Sequence, residues 1–298
     1  MEHRRGIGYA VAAYTLWGVM PIFWKAFRDV PALELLAHRI VWSIPVLVVV
    51  LALRGRWRSL LIDFSRTRTR VLAVASGLLL AVNWGVYVWA VTNGHIVDAS
   101  LGYFINPLVS VALGVLVLQE RLRPLQWVAV GIATVGVVGM TIMVGVLPWI
   151  ALSLAFSFGF YGLLKKREGA APPMEGLLGE AAVLAIPAAL YLGSRAADGV
   201  GAFGRDATTT LLLLTAGVVT VVPLVLFGAG AQRIPLATVG ILQYLAPSLQ
   251  LVLGIALYGE AMTGADLFGF LLVWIALAVY TLDGLRSGRV PGRVAGVA

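Results

Sequence analysis

Ten apolar stretches, each close to the length needed to cross a bilayer, run along this chain near residues 6–27, 33–53, 71–91, 99–118, 125–144, 147–164, 175–193, 209–229, 236–258 and 264–283. A hydrocarbon core of about 30 Å takes about 20 residues of α-helix, because each residue rises about 1.5 Å and every backbone polar group must be satisfied within the segment. The stretches lack the two-residue alternation of a transmembrane barrel. The expectation is therefore an all-α integral membrane protein with ten transmembrane helices. Composition agrees, since 60% of the 298 residues are hydrophobic and 12% charged, more apolar surface than one water-soluble core can hide. The opening MEHRRGIGYAVAAYTLWGV has the basic flank of a leader peptide, but its apolar run passes Trp17 and Pro21 without a small-x-small cleavage pattern, so it reads as a retained first helix.

The net charge of +8 is explained by where the cations fall. Threading the ten spans with the N-terminus inside puts 17 of the 22 basic residues on one face, from Arg4 and Arg5 through Arg54, Arg56, Arg58, Arg66, Arg68, Arg70, Arg121, Arg123, Lys165, Lys166, Arg167 and Arg233 to Arg286, Arg289 and Arg293. Lys25, Arg28, Arg195 and Arg205 fall on the other face, and Arg39 lies within the second span. This is the positive-inside bias, which places the chain in the cell membrane with both termini cytoplasmic and makes lipid headgroups, not nucleic acid, the partner of the charge. Cysteine is absent, so disulfides, thiolate metal sites and a cysteine nucleophile are excluded. No metal or cofactor motif stands in their place.

The two halves repeat one another. NPLVSVALGVLVLQE contributes Pro107, Gly114 and Glu120, and APSLQLVLGIALYGE contributes Pro247, Gly254 and Glu260, each pair 140 residues apart. Gly18 and Lys25 match Gly159 and Lys166 at an offset of 141, as Glu34 and Arg39 match Glu175 and Glu180. A repeat of five helices starts its copies on opposite sides of the membrane, giving two inverted five-helix units about a pseudo-two-fold axis in the membrane plane. The units expected are 5–144 and 147–285, followed by a cytoplasmic basic tail at 286–298. Such a pair can rock about a shared midplane site, the geometry of alternating access.

The segments AAYTLWGVMPIFWK, HRIVWS, NWGVYVWAVTNGHIVDASLGYFINPL, LAFSFGFYGLLKK and QYLAPS resemble the RarD-type branch of the EamA group in the drug/metabolite transporter superfamily, over about residues 5–285. The resemblance implies ten helices in two inverted repeats, a central cavity lined mainly by the first four spans and by the sixth to ninth, and carriage of small metabolites or drugs. The chain departs from the pattern at Ala246, where similar sequences often carry glycine before the proline.

Within this frame certain polar residues could carry transport. A charge at the bilayer centre costs about 2.5–3.5 kcal/mol on insertion scales. Arg39 lies about six residues, roughly 9 Å, from the outer end of its helix, so two readings stay open. Its side chain could reach outward to headgroups, or its guanidinium could face a polar cavity and take a carboxylate or phosphate. His38 and Trp42, with Glu34, form a stripe that favours the cavity slightly. Glu180 matches Arg39 in the other leaflet, on the order of 12 Å away along the normal, so a direct pair is not expected. It could bind a proton or a cationic substrate, or reach the inner interface. Asn106 and Pro107 in the fourth span and Pro247 in the ninth interrupt the backbone ladder and mark paired hinges or ordinary packed kinks. Tyr103, Gln243 and Tyr244, with Asn83, Trp84 and Tyr87 of the third span and Trp17 and Tyr161 of the first and sixth, offer the mixed aromatic and amide lining of a small-molecule cavity, although single aromatics also serve as interface belts. Glu120 and Glu260 are expected to favour the N-terminus of the helix that follows each, and Lys25 and Lys166 the C-terminal dipoles of their own helices. Gly131, Gly136 and Gly139 form a small-residue face on which a homodimer could assemble.

No P-loop occurs, so the leading expectation is a secondary active transporter, an exporter or permease of a small-molecule substrate, driven by a gradient. A passive channel or membrane sensor of the same architecture is the alternative. An intramembrane enzyme is disfavoured, because HExxH, G-x-S-x-G and Asp-rich metal motifs are all missing.

Overall fold

Long runs of Leu, Val, Ala and Ile can satisfy their backbones in lipid only as helices. The structure is a computed structural model that describes residues 2–27, 29–56, 61–62, 64–93, 95–144, 149–167, 172–259 and 264–287; among these there is no strand. The long helices are α1 Glu2–Trp24, α2 Ala32–Leu53, α3 Thr67–Thr92, α4 Ile96–Leu118, α5 Pro124–Val144, α6 Trp149–Arg167, α7 Pro173–Ala197, α8 Ala207–Arg233, α9 Leu236–Gln243, α10 Leu245–Tyr258 and α11 Gly264–Ser287. Glu260, Arg28, Arg58, Arg289 and Arg293, with the 288–298 part of the basic tail, lie outside the described residues. Among the described residues seven spans are long and apolar enough to cross a membrane, α9 and α10 counting together as Leu236–Tyr258. Pro124–Gly139 and Leu267–Asp283 are shorter apolar helices, and α6 closes on Lys165, Lys166 and Arg167. The protein is a multi-pass, all-helical membrane protein.

The ninth apolar stretch is not one helix. Pro247 has no N–H to give to the carbonyl of Gln243, and its ring crowds that carbonyl. The ladder tightens there, with Tyr244 N–H donating to Ile241 O at 3.2 Å, and α9 ends one residue before α10 begins. Pro107, its counterpart in α4, is absorbed without a break.

The helix contacts recur between the two halves. α1 packs on α8 and on α10, as α6 packs on α3 and on α4. α2 packs on α8 and α7 on α3, while α2 with α7, α4 with α9 and α5 with α11 are contacts between counterparts. Glycines permit the tightest crossings. A Cβ on Gly18 would collide with Leu249, and one on Gly159 with Val109. Gly217 of α8 lies against the backbone of Trp42 in α2, and a Cβ on Gly77 of α3 would lie 3.2 Å from Glu180 O of α7. The Tyr244 hydroxyl donates to Phe104 O across 140 residues of sequence. Even the helix ends match, because Gln119 (φ 57°) and Gly259 (φ 64°) both terminate their helices in the left-handed region. Gly136 and Gly139, read from sequence as a dimer face, accept Leu272 and Phe268 of α11 in the same chain, whereas Gly131 faces open space.

At one end of the bundle, here the basic end, ion pairs tie the helices together: Arg56 Nε to Glu175 at 2.7 Å, Arg123 to Asp283 at 2.7 Å and Arg233 Nε to Glu2 at 3.0 Å. Lys166 donates to Ile234 O at 2.6 Å, so it serves the C-terminus of α8 and not that of its own helix. Glu120 departs from expectation in the same way. Its carboxylate accepts from Leu236 N at 2.7 Å and Ala237 N at 2.9 Å, capping α9. The helix that follows Glu120 begins at Pro124, which lacks one donor, and Gln126 Oε1 accepts from Arg123 N. The buried N-terminus of α9, preceded by Pro235 with no cap of its own, has the greater need. At the opposite end Arg195 pairs with Glu34 at 3.2 Å.

Candidate functional site

A cavity of about 360 Å³ occupies the half of the bundle away from the basic end. Its walls come from α1 (Trp17, Met20, Trp24), α2 (Leu35, Arg39), α3 (Asn83, Trp84, Tyr87), α4 (Tyr103, Asn106), α6 (Leu154, Phe158), α8 (Thr220, Leu224), α9 (Gln243) and α10 (Pro247, Gln250). The volume falls in the range that holds small molecules. α7 adds nothing to this lining.

Among the described residues Arg39 is the one charged side chain in the wall. It turns into the bundle instead of reaching for headgroups. Nε donates to Thr220 Oγ1 at 3.0 Å, and the guanidinium lies 4.6 Å from the Trp24 ring and 5.2 Å from the Trp84 ring. Two indoles therefore hold the cation in place while helping to solvate it. Beside it, Tyr87 and Tyr103 meet edge to face at 6.2 Å. Asn83 spends its amide donors on Leu154 O at 2.9 Å and Ser157 Oγ at 3.0 Å, fixing α3 to α6. Gln250 Nε2 donates to Trp17 O at 3.1 Å. Asn106 is 4% exposed, and its Oδ1 has no partner.

Toward the basic end the cavity meets a packed group of rings. Tyr14, Trp17, Phe158, Tyr161 and Phe227 interlock at centroid distances of 5.1–6.2 Å, with Tyr14 and Tyr161 fully buried. Beneath it lies a charged pair, Lys165 Nζ with Glu180 Oε1, and the Tyr161 hydroxyl donates to Glu180 Oε2 at 3.1 Å. Lys165 and Glu180 are 1% and 0% exposed.

Of the residues singled out from sequence, Arg39, Asn83, Trp84, Tyr87, Tyr103, Asn106, Gln243 and Pro247 line this one cavity. Four others do not. His38 is buried off the cavity, where its Nδ1 accepts from Trp42 Nε1 at 3.2 Å and its ring stacks on Phe203. Tyr161 belongs to the packed rings, Tyr244 is spent on Phe104 O, and Glu180 pairs with Lys165. Pro107 stays within α4, its carbonyl against Gly240. Arg39 and Glu180 do not pair with each other, in line with the expectation: Arg39 is held by Thr220 and Glu180 by Lys165. Sequence reasoning missed Trp24, Thr220 and Lys165. A signal for two of them was present: Trp24 precedes Lys165 by 141 residues, as Arg39 precedes Glu180, so stacked pair and ion pair occupy matching positions. Thr220 was recognisable only as a polar residue in an apolar helix.

The profile of the EamA-like transporter family matches residues 4–142. The protein RarD of Streptomyces exfoliatus is 47% identical over 97% of this chain and 91% of its own length. An uncharacterized transporter of Pseudomonas aeruginosa is 46% identical over 96% of both chains. The chain belongs to the RarD-type branch of the EamA-like transporter family. The protein RarD of Escherichia coli is 41% identical over 97% of each chain. A solved crystal structure, 22% identical, superposes with a TM-score of 0.74 over 94% of this chain and 99% of that one, which places the fold among known ones. This RarD-type chain is a membrane transporter, and its relatives are named as transporters, not as enzymes.

Proposed function

We propose that this transporter is a secondary carrier that moves a small solute by alternating access, and that the Arg39 cavity is its solute site. The observation that carries the reading is the asymmetry about the midplane. One half of the bundle holds a lined cavity, while the other is sealed by five rings and a buried ion pair. In a frame of two inverted five-helix units, 5–144 and 147–285, exchanging the conformations of the halves would close the cavity and open its counterpart. The contacts that recur at an offset of 140–141 residues support that frame, as does a family profile whose length is one unit. The basic end faces the cytoplasm of a cell membrane in this reading, so the structure is an outward-facing state. Energy comes from a gradient, and Glu180 is the carboxylate through which a proton could couple.

The natural absence of cysteine makes the test direct. In proteoliposomes of the Tyr103→Cys, Tyr161→Cys double variant, a membrane-impermeant maleimide should reach position 103 from the outer face. A bulky maleimide there should suppress labelling of position 161 from the inner face. Simultaneous labelling of both positions in one molecule would mean a continuous pore, and the carrier reading would fail.

A further inference from the structure

The shape and charge of the cavity say more about the solute than its size does. Arg39 carries the only charge in the lining, and the described residues provide no carboxylate to balance it. Only Nε is satisfied, by Thr220, so the terminal amino groups keep their donors for something else. A guanidinium walled by indoles and left without a counter-ion is costly in low dielectric unless a ligand supplies the charge. One guanidinium balances one negative charge, and its fork matches a carboxylate. A dianionic phosphate would leave an excess charge in the same enclosure. No acidic side chain lines the cavity, so a ligand ammonium would lose its water without an ionic partner.

Around Arg39 the wall presents the rings of Trp84, Tyr87 and Tyr103, alongside aliphatic side chains such as Leu35, Leu36, Val88 and Leu224. A second polar feature is independent of Arg39: Asn106 lines the cavity, and its amide oxygen is buried and has no donor among the described residues. It would take a hydroxyl or N–H carried on the ligand body.

We infer that the solute is a monoanionic carboxylate with a planar apolar body, bearing a hydrogen-bond donor and no charged amine, with its carboxylate on Arg39 and its donor on Asn106. This rests on the cavity being the carrier's solute site.

Four probes of one skeleton test it with the full chain in nanodiscs: 3-(4-hydroxyphenyl)propanoate, its neutral amide, tyramine and tyrosine, with phenyl phosphate as a fifth. Quenching of tryptophan fluorescence should show the acid binding at least about ten-fold tighter than the amide, tyramine, tyrosine or phenyl phosphate, since only the acid gains a charge-assisted bond without stranding an ammonium. Arg39→Gln should remove that preference, and Asn106→Leu should remove the advantage of the acid over 3-phenylpropanoate. The inference is overturned if the amide, the amine, the zwitterion or the phosphate binds as well as the acid, if none binds at millimolar concentration, or if folded Arg39→Gln keeps the preference. The comparison of acid and amide on the unmodified protein stands even if the variants do not fold. Counterflow separates the two levels. Binding of the acid without trans-stimulated exchange defeats the carrier reading and leaves the ligand class intact; exchange of tyramine instead of the acid defeats the class and leaves the carrier.

Discussion

Lys165→Met is the most informative single change, because it removes the ammonium that pairs with a fully buried carboxylate. Glu180 is 0% exposed and its partner 1%, so neither charge can recover its hydration when the other is removed. Breaking such a buried pair costs about 3–5 kcal/mol, against at most about 1 kcal/mol for a pair on the surface. The Tyr161 hydroxyl, 3.1 Å from Oε2, offsets part of that cost, and a hydrogen bond to a charged group contributes about 1.5–3 kcal/mol. A net loss of about 2–3 kcal/mol is expected for Lys165→Met, with a similar loss for Glu180→Leu, which removes the other member of the pair. The double variant, apolar at both positions, should recover most of the loss, since well-packed hydrophobic replacements of buried pairs are often neutral. Thermal unfolding of the purified protein in detergent measures all four corners of the cycle, and the coupling between the two positions should exceed about 1.5 kcal/mol. If both single variants unfold within about 0.5 kcal/mol of the parent, or if their effects simply add, Lys165 and Glu180 do not form the pair and the seal beneath the rings must be argued from packing alone.

Three further outcomes follow from particular contacts. Glu120→Gln should lower stability by about 1–3 kcal/mol in the same unfolding assay, because a neutral amide cannot replace two charge-assisted bonds to Leu236 N and Ala237 N. Gln119→Gly should raise the unfolding temperature by an amount equivalent to about 0.5–1 kcal/mol, since a left-handed φ of 57° penalises any side chain, and the counterpart at 259 is already glycine. Gly217→Ala should sharply reduce the yield of folded protein, because its Cβ would overlap the Trp42 carbonyl, whereas Gly131→Ala, with open space around it, should leave yield and unfolding temperature unchanged; equal yields for the two would refute the close crossing of α2 and α8.

The residues that were legible in advance are those whose role depends on local pattern. Apolar length announces a membrane helix, and the repeat of Gly18 and Gly159 announces two crossings that do occur. Most of the polar and aromatic part of the cavity wall was named in advance because such side chains in lipid-spanning helices are few. His38 misled because its spacing from Trp42 gives a polar stripe on one helix. His38 Nδ1 is taken by Trp42 within α2, and its ring is covered by Phe203, a residue 165 positions away that no helical period can foresee. Glu120 was assigned to the wrong helix for the same reason, since the donors it caps lie 116 and 117 residues further on.

By itself the order of residues determined that this chain must live in lipid as helices, which end carries the cations and that one half echoes the other, because hydration of the backbone, headgroup charge and duplication all act along the chain. Which way Arg39 turns, which lysine neutralises Glu180 and which half of the bundle holds the cavity were decided only by tertiary packing. Those outcomes depend on the relative rotation and tilt of helices far apart in sequence, and a few degrees of either exchanges a headgroup for an indole or a cavity for a seal.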